Sequence, residues 1–126
     1  MEGKKYEDIE ERTFKFSIRV IKMVFQLPNN NVAVWKIGGQ VISSATSINS
    51  NIIQARAGIS KKDFTNHMRI SLKEAKETKR WLEMIVAVGL ALNSRMKLLI
   101  NESEEIICIL VTIIKNSIKS GEINRI

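Results

Sequence analysis

Between Lys36 and Arg56 the chain carries no charged residue, although glutamine, serine, threonine and asparagine are plentiful there, whereas from Lys61 to Glu83 charges are dense. Both stretches are nonetheless helical by periodicity. In the first, Val34, Ile37, Val41, Ala45, Ile48, Ile52 and Ala55 recur at steps of three and four; in the second, Phe64, Met68, Ser71, Ala75, Thr78, Leu82 and Ile85 do the same. Gly58 is placed to end the first helix, and Ser60 with Asp63 has the form of a capping box for the second, with Asp in the usual Glu position. Two long amphipathic helices joined so briefly run antiparallel and bury their stripes only by recruiting further helices.

The flanking sequence supplies them. A first helix ends before Pro28 and begins near Tyr6 or Glu7, where acidic residues favour the positive end of the helix dipole. Phe14, Ile18, Ile21 and Phe25 form its heptad-spaced seam, widened by Val20, Val24 and Leu27. Asn29, Asn30 and Asn31 make a polar turn containing the next N-cap. Gly89 stops the third helix, and the fourth runs from near Ser94 to about Ser120, with Gly121 beyond. Its inward seam is Leu99, Ile106, Leu110 and Ile113, while Ile107, Cys108, Val111 and Ile114 spread apolar surface to other sides. The expected architecture is all-α: a single domain over 1–126, an up-and-down antiparallel four-helix bundle with helices at about 7–27, 33–57, 61–88 and 94–120.

Beside the core stripe of the second helix runs another, Gln40, Ser44, Ser47, Asn51 and Gln54, polar but uncharged. A solvated face ordinarily carries Lys and Glu. Small hydrogen-bonding side chains instead suit a face covered by another helix or another subunit, where full charges are costly. Gly38 and Gly39 point the same way, because glycine costs a helix about 1 kcal/mol against alanine and is kept for close backbone approach. The alternative is a weak, serine-rich surface helix.

Gln40, Ser44, Thr46, Ser47, Ile48 and Asn51, then Ala55, Ala57, Ser60, Asp63 and Phe64, then Ile70, Leu72 to Ala75, Glu77, Thr78, Trp81 and Leu82 carry a family resemblance. With Glu11-Arg12-Thr13 and Leu27-Pro28, this pattern resembles the four helix bundle protein family, also called the 23S rRNA intervening-sequence protein. The resemblance implies an up-and-down bundle assembled as a homopentameric ring, a bacterial source, and no established biochemical activity. Two departures concern charge: Ser43 stands where the family has Arg, and Gln54 where it has Glu. Losing both is the coherent way to neutralise a pair. The positions lie eleven residues apart, about 16 Å along one helix, so such a pair is made across helices or subunits. The interface candidates are therefore Gln40, Ser43, Ser44, Ser47, Asn51 and Gln54. His67 and Arg80 replace the family's Lys and an aromatic.

Chemistry is sparse. Of 126 residues one is histidine and one cysteine, and neither has companions at ligand spacing, so no metal site, cofactor or catalytic residue is expected. Cys108, among isoleucines, reads as a small core hydrophobe, and His67 lies one turn from Asp63. No phosphate loop follows Gly38-Gly39. No apolar run reaches the roughly 20 residues of a membrane span, and the opening MEGKKYEDIEER is charged where a secretory signal is apolar, so a cytoplasmic setting is expected.

The net charge of +7 favours acidic partners, though it also serves solubility alone. Lys62, Arg69, Lys73, Lys76 and Arg80 fall on one side of the third helix, where Lys73–Glu77 and Lys79–Glu83 are spaced for ion pairs. Two readings follow. One is a non-enzymatic oligomeric binding module whose basic face engages RNA or DNA, or a protein acting on them; a related branch of bundles serves diversity-generating retroelements as an accessory protein, an analogy of fold. The other is a structural or adaptor homo-oligomer that binds another protein and has no nucleic-acid role.

Overall fold

The computed structural model describes the backbone of residues 8–125 and the side chains of 8–120. Four helices follow one another: α1 (Ile9–Phe25), α2 (Val32–Ala57), α3 (Lys61–Ala87) and α4 (Asn93–Arg125). There is no strand among the described residues. Each helix packs on its sequence neighbours and α1 also packs on α4, whereas among the described residues the backbones of the diagonal pairs do not come close. Cross-helix pairs fix the directions. Ser17 donates to the Ala45 carbonyl and Asn49 to that of Glu10; Thr78 lies on Ser44 and His67 on Asn51; Lys61 reaches Ser120 and Lys79 reaches Glu104. Position numbers rise on one helix as they fall on the next, so the chain runs up and down.

The helix ends follow from their cap residues. Asn31 accepts from the Ala33 N–H at 2.7 Å and Ser60 from the Asp63 N–H at 3.0 Å. Asp8 caps α1 by accepting from the Glu10 N–H. The expected start at Tyr6 or Glu7 lies outside the described residues, and α1 ends at Phe25 rather than Leu27, with the Gln26 N–H turned back to Met23. α3 closes at Gly89, whose φ of 81° is the left-handed conformation that glycine adopts without strain. The Gly89 and Leu90 N–H groups then reach back to the Val86 and Ile85 carbonyls, the paired bonds of a Schellman ending. α4 passes through Ser120 and Gly121 to Arg125, because one glycine costs a helix too little to end it.

The core holds the stripes of α2 and α3 as read from spacing, with Ile37 and Phe64 at its edge. Two other seams differ. α1 buries Ile9, Thr13, Phe16, Ser17 and Val20, not the heptad-spaced set: Phe14, Ile18 and Phe25 are exposed and Ile21 is half-buried. Two hydroxyls make this possible. Thr13 and Ser17 satisfy themselves on carbonyls one turn back, and Ser17 also on Ala45, so a polar residue sits inward while a phenylalanine faces out. On α4 the buried set is Met96, Leu99, Ser103, Ile106, Leu110, Ile114 and Ser117; Ile114 takes the inward place expected of Ile113. Cys108 is exposed rather than in the core, since the face centred on Ile106 and Leu110 turns it outward. No helix among the described residues is long and apolar enough to cross a membrane.

Candidate functional site

Two unlike surfaces stand out, and the helices that carry them follow from the burial pattern. On α3, Met68, Ser71, Ala75, Thr78 and Leu82 point inward, so at 3.6 residues per turn the opposite side is occupied by Lys62, Arg69, Lys73, Lys76 and Arg80. All five are exposed, and they extend over about 27 Å of helix. Among the described residues, none of the five takes part in an ion pair.

Other cations are consumed within the fold. Arg12 pairs with Glu102 and Glu105, Arg56 with Asp8 and Glu10, and Lys79 with Glu104. The last pairing replaces the expected Lys79–Glu83 pair: Lys79 points toward α4, so its partner comes from there. Arg12 and Arg56 are both held above the ordinary arginine range by their carboxylate hydrogen bonds.

Carboxylates flank the basic stripe without closing it. Glu77 and Glu83 are exposed, and Glu74 is half-buried on the side facing α2. Burial, then the proximity of Glu77, pushes the Glu74 carboxyl above its usual range, partly offset by Lys73.

The second surface is the outer side of α1 and α2. Phe14 is 56%, Phe25 74% and Trp35 66% exposed, and Ile18 and Ile53 are exposed as well. Phe14 and Ile53 line one shallow cleft with Asn49 and the acidic start of α1. Beside this apolar side lies the charge-free outward strip of α2, where Gln40, Ser43, Ser50 and Gln54 are exposed and Ser47 and Asn51 half-buried. Large exposed apolar patches on a soluble chain mark surfaces that something covers.

The interface candidates on α2 divide accordingly. Ser44 is fully buried inside the subunit, where it takes the Thr78 hydroxyl at 2.8 Å. Asn51 bonds Ser47 and lies 3.3 Å from Nδ1 of the half-buried His67, so the neighbour of this boundary histidine is Asn51 of α2. Helix α3 thus covers the inner part of the polar stripe. Gln40, Ser43 and Gln54 remain outward. Spacing places the stripe Phe14, Ile18, Ile21 and Phe25 in the core, but the structure leaves it largely outward, because Thr13 and Ser17 satisfy their hydroxyls beside Phe16 and Val20 on the inward face.

Among the described residues, no group of three or more His, Cys, Asp or Glu could hold a metal ion. Cys108 and His67 lie on different helices and share no partner.

Comparison with known proteins bears on this arrangement. The sequence model of the 23S rRNA-intervening sequence protein family matches residues 6–112. Among solved structures, a protein of unknown function from the S23 ribosomal protein family of Bacteroides thetaiotaomicron VPI-5482 superposes with a TM-score of 0.78 at 32% identity, covering 86% of this chain and 99% of that one. No curated protein matches the chain.

Proposed function

As the chain belongs to the 23S rRNA-intervening sequence protein family, whose members are of unknown function, we propose a role from its two surfaces: it is a non-enzymatic, oligomeric binding module for RNA or DNA. The α1–α2 side joins copies of the chain into a closed homo-oligomer, a pentameric ring by resemblance. The outward cations of α3 hold the phosphate backbone. The observation that carries this reading is the division of cations: Arg12, Arg56 and Lys79 are paired within the fold, whereas Lys62, Arg69, Lys73, Lys76 and Arg80 are exposed along one helix face and, among the described residues, in no ion pair.

The apolar stripe of α1 and the cations of α3 lie on helices that are not neighbours, so contact between copies through α1 leaves the cations accessible, while Gln40 of the α2 strip borders them. Copies around a ring multiply a weak single-subunit attraction into an avid one. Release of counterions makes such binding steeply salt-dependent. Phosphate contacts alone carry no base information, so the stripe favours nucleic acid without sequence preference.

The test is a titration of mixed-sequence RNA and of duplex DNA at two salt concentrations, comparing the wild type with a chain carrying Arg69→Glu, Lys73→Glu and Lys76→Glu. Binding that weakens with salt and disappears in a folded, still oligomeric triple variant supports the reading. Absence of binding at low salt, or an unchanged affinity and salt slope in the variant, leaves the adaptor reading, in which the partner is a protein and the charge serves solubility.

A further inference from the structure

Beside the basic stripe, between α2 and α3, lies a cleft of about 450 Å³ lined by Gln40, Lys73, Lys76, Glu77, Arg80, Trp81 and Met84. Its walls are chemically unlike the rest of the stripe. Trp81 is half-buried against the core and still reaches the cleft, so its indole is held by packing on one side and accessible on the other. Lys73, Lys76 and Arg80 bring three cations to the rim, none of them in an ion pair among the described residues. Gln40 offers a neutral amide with both donor and acceptor, and Met84 an adaptable apolar edge. Glu77 is the one carboxylate present. The volume falls within the range of about 300–1,000 Å³ typical of small-ligand sites.

We propose that this cleft takes one unpaired nucleotide of a single-stranded nucleic acid, its base against Trp81 and its phosphates on Lys73, Lys76 and Arg80. The proposal rests on the nucleic-acid reading above and narrows it from any polyanion to a strand with splayed bases. A duplex keeps its bases stacked on one another and presents phosphates only, so it engages the stripe but not the indole. A single strand engages both, because every base has a face that stacks on an aromatic ring. Glu77 opposes phosphate at one side of the cleft. It therefore orients the strand: phosphates lie toward Lys76 and Arg80, and the base edge toward Glu77 and Gln40, where an exocyclic amino group meets an acceptor.

The experiment uses the full chain with Trp35→Phe, which leaves Trp81 the sole tryptophan, since the sequence contains two. A short oligouridylate, the matching oligothymidylate and a duplex of equal length, each end-labelled, are titrated at one low salt concentration while label anisotropy reports affinity and indole emission reports stacking. Saturable quenching by both single strands is expected, with no quenching by the duplex and roughly tenfold weaker duplex binding. Trp81→Phe retains the core packing, as checked by helicity and thermal midpoint, and weakens single-strand binding several-fold while leaving duplex binding unchanged. Equal affinity for single strand and duplex, with unquenched emission, overturns the cleft and leaves the polyanion reading intact. No binding of any probe overturns both.

Discussion

Arg12 of α1 grips Glu102 of α4 by two parallel bonds, Nε to Oε2 at 2.6 Å and Nη2 to Oε1 at 2.9 Å, and also reaches Glu105. Both side chains are largely withdrawn from solvent, at 23% and 17% exposure. α1 is the shortest helix, with 17 residues against 33 in α4, so it covers only part of α4 and this fork ties the two together. Planar two-point pairing suits arginine and not lysine. Arg12→Ala leaves the Glu102 carboxylate half-buried and unmatched, a loss of about 1–3 kcal/mol. Urea unfolding of Arg12→Ala, Glu102→Gln and the double variant measures it; coupling indistinguishable from zero dismisses the tie.

Gly38 and Gly39 are adjacent but predict opposite outcomes. A Cβ on Gly38 meets Val24 Cγ1 at 3.0 Å, whereas one on Gly39 meets nothing within 4 Å. Gly39→Ala therefore raises helix stability by up to about 1 kcal/mol. Gly38→Ala makes the same propensity gain and loses more by pushing a stiff β-branched side chain, ending about 1 kcal/mol below wild type. Thermal midpoints of both, and of Gly38→Ala on a Val24→Ala background where the cost disappears, separate packing from propensity.

What the spacing of apolar residues could reveal differed by helix. α2 and α3 were legible because their inward positions hold the only sustained stripes available, and α3 was readable even through Ser71 and Thr78, since its outer face is unmistakably charged. α1 offered two apolar faces of similar strength. Periodicity alone ranks Phe14, Ile18, Ile21 and Phe25 above a face containing Thr13 and Ser17; only the carbonyls of Ile9, Thr13 and Ala45, which take those hydroxyl protons, reverse the order. The same limit applied to the polar stripe of α2. Its uncharged character signalled cover, but which part is covered by α3 depends on Ser44 meeting Thr78, a tertiary fact. The exposure of the five cations on α3 was legible, as solvated charge needs no partner to locate it.

Acid reaches the N-terminal cap of α1 only at the bottom of the carboxylate range. Hydrogen bonding from Arg56 pushes the Asp8 carboxyl down to about 2; burial opposes it, and the Arg56 charge and the Glu10 and Glu11 N–H groups add to the lowering. A carboxyl lowered by folding contributes stability that is present above its unfolded pKa of about 3.9 and lost as pH falls through its folded value. The window is thus about pH 4 to 2. Asp8 is about half exposed, so the global effect is small and the local one is the better readout. Carboxyl-resolved NMR titration is expected to find Asp8 still ionised at pH 3, and Arg56→Gln to return it toward the ordinary range. A normal titration in the wild type contradicts the pairing.

The outward apolar stripe of α1 makes the last prediction. Ile18 and Phe25 are exposed in the single chain and take no part in its core, so a carboxylate at either position costs the isolated subunit little. At an interface between copies the same carboxylate is buried without a partner, a cost of several kcal/mol repeated at every contact around a closed ring. Ile18→Glu with Phe25→Glu is therefore expected to give a folded, helical monomer by light scattering, while the wild type gives one discrete oligomer. The charge-free strip of α2 extends the argument. Ser43→Arg alone is expected to weaken the assembly, and Gln54→Glu added to it to restore part of the loss, if the two positions meet across subunits. A wild type that is monomeric at micromolar concentration removes the assembly altogether. An oligomer of unchanged mass in the double glutamate variant moves the contact away from α1, onto the α2 strip or the outer face of α4, where Leu98 and Cys108 are exposed.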